Sequence, residues 1–451
     1  MVAFLYRLAW RAARPLAAPL SRVGGKLGRA IRGRRAAVPT LAAWAARERR
    51  PDQPLVWFHA ASVGEGRQAE AVLTRVKAAR PGWQVAYTHS SPSAERLAAS
   101  LPADVAAYAP FDTVRDVAAT LDALRPTAIV FGATDVWPEL VRQAGVRGVA
   151  LGLISATLAR TSSRRGALAR RLLGPAYAAL DAVGAIDEAD ARELERLGVA
   201  RDRVTVTGDT RHDAALARLA AADPTAPHRR AIAAGADAAG APTILAGSTW
   251  PSDERVLLPA LADLEARGTR FRLVVAPHEP TPAHLKELER RLRDYLGRDA
   301  AVVRLSSLLN AGDLEPLATG NVTSGNWDAT VVDQLGILAE LYPAASLAFV
   351  GGGFHGAGLH SVIEPAAAGV PVLFGPRHQG SRDARLLLAG GGAQTVRDSR
   401  QLAAALDGWL RNETARAAAG AAARAVVERG RGAADRSLQL VINLVEHSPR
   451  P

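Results

Sequence analysis

Short apolar runs alternate with stretches of helical periodicity along most of this 451-residue chain. The runs at 55–59, 84–88, 128–131, 148–154, 182–186 and 204–206 predict buried strands. Amphipathic stretches such as 66–80 and 112–124 lie between them and predict helices. A second series of apolar runs follows at 243–246, 272–276, 301–305, 347–350 and 370–374, and long Ala/Arg helices fill 400–445. Strands alternating with helices imply βαβ units and parallel, doubly wound sheets. The expected fold class is therefore α/β, with two Rossmann-like domains facing a cleft. Residues 214–241, Ala-rich with Asp223-Pro224, read as the connection between the halves. The expected organisation is a basic arm over 1–50, a first domain over 51–220, a second over 240–430 and a tail over 431–451. In such sheets ligands sit at the carboxyl ends of the strands.

Composition sharpens this picture at one end. The length suits two domains rather than one core. The chain carries a formal net charge of +12 and no cysteine, which excludes disulfides and thiolate metal sites. The first fifty residues hold twelve Lys or Arg and one acid, Glu48, so nearly all of the excess charge belongs to one end. That end is apolar to Val23 with Arg7, Arg11 and Arg14 interspersed. It lacks the uninterrupted run of about 18 apolar residues that a spanning helix needs. A short basic helix with Phe4, Tyr6 and Trp10 fits one lying in an anionic membrane interface. The alternative is a basic helix packing on its own domain. A cleaved signal peptide is disfavoured by the interrupting arginines, and a nucleic-acid binder by the confinement of charge to one arm.

The densest candidate chemistry is Phe349-Val-Gly-Gly-Gly-Phe-His-Gly-Ala-Gly-Leu-His-Ser-Val-Ile-Glu364, where an apolar strand breaks into five glycines within eight residues and a helix starts near Ser361. Gly352 and Gly353 would let backbone approach a ligand, the helix start would favour an anion, and Glu364 would accept hydrogen bonds from sugar hydroxyls. The spacing is not that of a dinucleotide fingerprint. Gly247-Ser248 also follows a strand and offers N–H groups to a phosphate. Pro277-His278 is another strand end, and Gly336-Ile337-Leu338 reads as a helix start whose backbone faces a base. In the first half, Glu65 stands at a helix start after His59-Ala-Ala-Ser-Val-Gly. It serves either as a general base or as a cap that favours the helix dipole. Asp135, before Val136-Trp137-Pro138, either orients an acceptor or sits in a plain turn. Arg211 matches a phosphate or carboxylate, or pairs with Asp213. The ten histidines show no metal-ligand spacing.

Taken in order, these blocks resemble the Kdo transferases, which attach 3-deoxy-D-manno-oct-2-ulosonic acid to a lipid A precursor. Ser62-Val63-Gly64-Glu65, Gly247-Ser-Thr, Asp333-Gln-Leu-Gly336-Ile-Leu338 and Glu364-Pro-Ala-Ala-Ala-Gly-Val-Pro-Val-Leu-Phe-Gly-Pro376 carry the resemblance, which runs from about 50 to 400. It implies a GT-B glycosyltransferase, inverting and metal-independent, at the cytoplasmic face of the inner membrane of a Gram-negative cell. CMP-Kdo would be the donor and a lipid A precursor such as lipid IVA the acceptor, with no cofactor and no nucleic acid. Glu65 matches the family's catalytic base. Asp135 and Arg211 fall where the family has Glu and Lys, positions credited with stabilising the transition state. Gly247, Ser248, Pro277, His278, Gly336 to Leu338, Gly352, Gly353, His360 and Ser361-Val362-Ile363-Glu364 match the donor side. Three positions depart: Ala133 replaces a Glu, Ser155 an Asn, and Ser361 an Asn after His360. The Gly208-Asp-Thr-Arg211 and Ser248-Thr-Trp-Pro251 variants look like a divergent branch, similar to sequences from Bacteroidetes-like bacteria. Rival readings are another GT-B transferase or epimerase, or a membrane-bound sugar-nucleotide binder without catalysis.

Overall fold

The computed structural model describes residues 6–7, 10, 17–158, 164, 166–297, 300–310 and 328–447. They form two compact units, one of residues 1–214 with 430–451 and one of 215–429. The first unit carries β1 (Leu55–His59), β2 (Gln84–His89), β3 (Val105–Tyr108), β4 (Ala128–Gly132), β5 (Ala150–Ala156), β6 (Ala182–Ala185) and β7 (Val204–Val206). These pair in parallel in the order β3-β2-β1-β4-β5-β6-β7. The second unit carries β8 (Thr243–Thr249), β9 (Arg272–Pro277), β10 (Val302–Arg304), β11 (Ala329–Val331), β12 (Leu347–Val350), β13 (Val372–Phe374) and β14 (Ala393–Thr395). Their order is β10-β11-β9-β8-β12-β13-β14, again all parallel.

Parallel sheets are covered by helices on both faces, so their central strands are apolar throughout. Leu55 to His59 and Ala128 to Gly132 are buried at every position for that reason. In each sheet the strand order reverses once, between β1 and β4 and between β8 and β12. The loops leaving those four strands border the crevice where doubly wound sheets bind ligands.

Three segments differ from expectation. Residues 214–241 are not a plain connection but the end of the helix Thr210–Ala221 and all of the helix Pro227–Ala239. The expected tail holds the helix Ala433–Glu446, whose Val441, Leu444 and Val445 join Val130 and Ile154 in one buried cluster of the first unit. The Asp213 carboxylate holds its start by accepting from the N–H groups of Gly432 and Ala434, both at 2.8 Å. The arm is longer than a short helix, because Gly25–Glu48 is a single helix of 24 residues. Its Leu41 and Trp44 enter the core beside Val117, Leu121 and Leu124, as the packing alternative expects. Tyr6 and Trp10 also turn inward: Tyr6 donates to Asp112 and Trp10 lies against Phe111. Phe4 lies outside the described residues. Among those described, no helix is long and apolar enough to cross a membrane.

Candidate active site

In the first unit the residues after β1 and β4 meet at the reversal point. Glu65 is the third residue of the helix Val63–Ala79, and Ser62 is its N-cap. The Glu65 N–H donates to Ser62 Oγ at 3.5 Å, and the Ser62 N–H donates back to Glu65 Oε2 at 3.1 Å. This reciprocal pair is a capping box, so the structural role expected as an alternative is present. It leaves Glu65 Oε1 outside the capping bond. Burial, and then the Asp135 charge, raise the Glu65 carboxyl above its ordinary value. Such a carboxyl is a better base than an exposed one once ionised.

Asp135 lies in the loop between β4 and the helix Pro138–Val146. Its Oδ2 is 3.0 Å from His59 Nε2 and accepts from Trp137 Nε1, also at 3.0 Å. On the far side of the imidazole, His59 Nδ1 is 2.9 Å from Thr88 Oγ1, which accepts from Trp57 Nε1 at 2.8 Å. The Trp137 indole N–H also donates to His59 Nε2 at 2.9 Å, so His59 and Asp135 share that one donor. Burial pushes the Asp135 carboxyl up, but the His59 contact, the Trp137 N–H and Arg164 outweigh it and hold the group below its usual value. Two carboxyls at one reversal point are thus driven in opposite directions.

Arg211 pairs with Asp209, not with Asp213. Its Nη2 reaches Asp209 Oδ2 at 2.5 Å, and Nε is 3.0 Å from the same oxygen. Asp213 instead caps the C-terminal helix. Burial raises the Asp209 carboxyl, and the Arg211 charge and hydrogen bonds overcome it, leaving it at about 2. Ser155 joins this network, 2.9 Å from Thr210 Oγ1. Ala133 and Ser155 both have left-handed backbone, with φ of 56° and 48°. An Asn tolerates that conformation better than Ser or Ala.

In the second unit, Gly247-Ser248 and Pro277 lie in the last residues of β8 and β9, and His278, Gly336 and the glycine run follow the carboxyl ends of β9, β11 and β12. Leu338 opens the helix Leu338–Leu341, and a Cβ at Gly247 would lie 3.1 Å from the Leu338 side chain and 2.3 Å from the Tyr342 hydroxyl. Ser248 holds a left-handed φ of 54°, a strain that clusters at ligand sites. The glycine run departs from the sequence reading. A Cβ at Gly353 would lie 2.4 Å from Gly375 N, and one at Gly351 would lie 2.2 Å from Ser248 O. These glycines let backbone meet backbone. The Gly352 N–H donates to the buried Asp253 Oδ2 at 2.8 Å and the Phe354 N–H to Oδ1 at 3.0 Å. Asp253 shapes the loop by taking N–H groups of the run, which was expected to let backbone approach a ligand.

The helix expected near Ser361 is the short Ile363–Ala367, preceded by Val362. The Ser361 hydroxyl donates to Glu364, whose other oxygen is 3.6 Å from Arg218 Nη1. His360 belongs to an aromatic stack that sequence reasoning did not assemble. His278 and His360 stack at 4.3 Å, and Trp250 and His355 at 4.1 Å with an 8° interplanar angle. Trp250 Nε1 donates to His360 Nε2 at 2.9 Å, so the His360 proton sits on Nδ1. Burial first, then His278 and His355, lower His360 to about 4. Trp250 and His355 are 105 positions apart and carry no shared motif, so only the fold brings them together.

Two doubly wound parallel units with candidate residues at both reversal points define the GT-B class. Solved structures bear out the fold. The chain aligns with the putative UDP-N-acetylglucosamine 2-epimerase of Listeria monocytogenes at a TM-score of 0.59 and 15% identity, over 88% of this chain and 98% of that one. The Neisseria meningitidis UDP-GlcNAc 2-epimerase gives 0.59 at 16%, over 87% and 100%. Residues 33–214 match the family model of the 3-deoxy-D-manno-octulosonic-acid transferases. A 3-deoxy-D-manno-octulosonic acid transferase of Bordetella pertussis is 30% identical over 85% of this chain and 86% of its own, and one from Chlamydia muridarum is 28% identical over 84% and 81%. The chain belongs to the 3-deoxy-D-manno-octulosonic acid transferase family and is a glycosyltransferase.

Proposed function

We propose that this chain moves Kdo from CMP-Kdo to a lipid A precursor in lipopolysaccharide core biosynthesis, with Glu65 as the base. Membership of the family carries the donor and acceptor, and the pair of carboxyls at the β1/β4 reversal point, Glu65 raised and Asp135 lowered, carries the choice of base. Glu65 takes the proton from the acceptor hydroxyl as that oxygen attacks the anomeric carbon. The bond from this carbon to the CMP phosphate oxygen breaks, and its electron pair leaves with CMP, inverting the centre. Asp135, held ionised by His59 and Trp137, stabilises positive charge developing at the sugar. Arg211, fixed by Asp209, is the neighbouring cation. In the second unit Ser248, His278 and the Nδ1–H of His360 are the donor-side groups, with Pro277, Gly336 to Leu338 and Ser361 to Glu364 around the nucleotide. Following the family resemblance, no metal takes part; chelation should leave turnover unchanged.

We place the chain at the cytoplasmic face of the inner membrane. Support comes from the arm, where exposed Leu20, Val23 and Leu27 are interleaved with exposed Arg22, Lys26 and Arg29. An apolar strip with a basic rim suits an anionic surface.

Glu65→Gln separates base from cap. The amide still accepts the Ser62 N–H, so the helix start is kept, while transfer should fall by about 10²- to 10⁴-fold. Turnover unchanged in Glu65→Gln would remove Glu65 from the chemistry.

A further inference from the structure

Asp135 owes its place to the backbone between β4 and the helix Pro138–Val146, and the N-terminal arm grips the start of that helix at three points. Tyr6 donates to Asp112 Oδ2 at 2.7 Å, and the same carboxylate accepts from the Glu139 and Leu140 N–H groups at 3.0 and 2.9 Å. Asp112 therefore caps the helix while Tyr6 holds Asp112. Arg7 Nε donates to Glu139 Oε2 at 2.9 Å. The third grip is Arg34, on the helix Gly25–Glu48. Its guanidinium lies 4.7 Å from the Trp137 ring centroid, 4.9 Å from Phe111 and 5.7 Å from Trp10. One Nη donates to Pro110 O at 2.9 Å, while the buried Nε has no hydrogen-bond partner. A cation with an unmatched donor, layered among three rings, is held by those faces. Trp137 in turn points its indole N–H at Asp135 and His59.

We infer that the N-terminal arm is a positioning clamp for Asp135, acting through Arg34 on Trp137 and through Tyr6 on Asp112. This rests on the role proposed for Asp135. The arm is then part of the catalytic unit as well as a membrane contact. Arg34 is a positioning residue, because it touches Trp137 and not the reacting atoms.

The test compares the full-length wild type, Arg34→Met, Arg34→Lys, Asp135→Ala and the double variant Arg34→Met/Asp135→Ala for Kdo transfer from CMP-Kdo to a tetraacylated lipid A precursor. Arg34→Met should lower kcat by about 10- to 100-fold, as a displacement of about 1 Å does, with the KM for CMP-Kdo within about twofold of wild type. Arg34→Lys keeps the charge but loses the planar stack, and should recover part of kcat. In the Asp135→Ala background the Arg34→Met loss should shrink to about threefold or less, because residues acting in one chain are not additive. Should Arg34→Met fail to fold, Tyr6→Phe deletes only the hydroxyl and should still lower kcat several-fold. Wild-type kcat in folded Arg34→Met or in Tyr6→Phe would overturn the inference, as would an equal Arg34→Met loss with and without Asp135. Failure of the wild type to transfer Kdo would instead overturn the proposed function.

Discussion

Glu65 and Asp135 are the same chemistry in opposite environments. Glu65 is raised by burial and by the second carboxylate, so between the ordinary and the raised value its folded form holds a proton that the unfolded chain releases. The sign follows: stability falls as pH rises from the ordinary glutamate value through the raised one. Glu65→Gln should therefore melt at or above the wild-type temperature at neutral pH while losing transfer, a pairing expected of a functional carboxyl. Asp135 runs the other way. Its depressed value contributes stability above the ordinary aspartate range, lost as pH falls through the folded value. His59→Phe removes the main group that depresses it. The acid limb of the kcat profile should then move to higher pH, because one proton is now easier for the carboxyl pair to hold. A pH–rate profile of His59→Phe with the wild-type acid limb would show that His59 does not tune the site.

At the scale of elements, the apolar runs were legible in the sequence, the edge strands β7 and β10 among them, while β3, β11 and β14 were not. β1, β4, β8 and β12 are buried runs that an apolar pattern exposes. β3 is four residues with two alanines and only its first position buried, β14 is Ala-Gln-Thr with two exposed positions, and β11 is Ala-Thr-Val with a polar centre, so none stands out as an apolar run. The same division holds for the site. Glu65, Asp135 and the glycine run sit at strand ends and could be read locally. Trp250, His355, Asp253 and the Thr88–His59 relay depend on contacts between distant segments, and Arg211 was matched with the wrong aspartate because Asp213 serves a helix more than 200 positions away. The glycine run was legible as important but not for its physical reason, which is backbone packing. This gives a direct test. Gly353→Ala forces a Cβ to within 2.4 Å of Gly375 N and should destabilise the second unit by about 1–3 kcal/mol. Gly356→Ala meets nothing nearer than Arg377 Nη1 at 3.8 Å and should change stability by no more than about 0.5 kcal/mol. Denaturant melts of the two variants distinguish packing from ligand approach, which predicts no such difference without ligand.

For the whole molecule, the chain leaves the first unit, builds the second, and returns. The helix Ala433–Glu446 buries Val441, Ile442, Leu444 and Val445 on the first unit. Each such side chain contributes about 1.5–3 kcal/mol, so the set is comparable to the whole stability of a domain, about 5–15 kcal/mol. Truncation after Arg429 should therefore unfold the first unit, read as loss of its cooperative melting transition. The arm carries a second expectation at this scale. Leu27→Asp, on the exposed apolar strip, should weaken co-sedimentation with anionic vesicles several-fold and leave the melting temperature unchanged. The central claim is tested most directly by measuring CMP release and Kdo-bearing product from CMP-Kdo with and without a tetraacylated lipid A precursor. The expected result is CMP released in step with Kdo-modified lipid only when the acceptor is present. CMP-Kdo left intact by a folded wild-type protein in the presence of that acceptor would contradict the assignment.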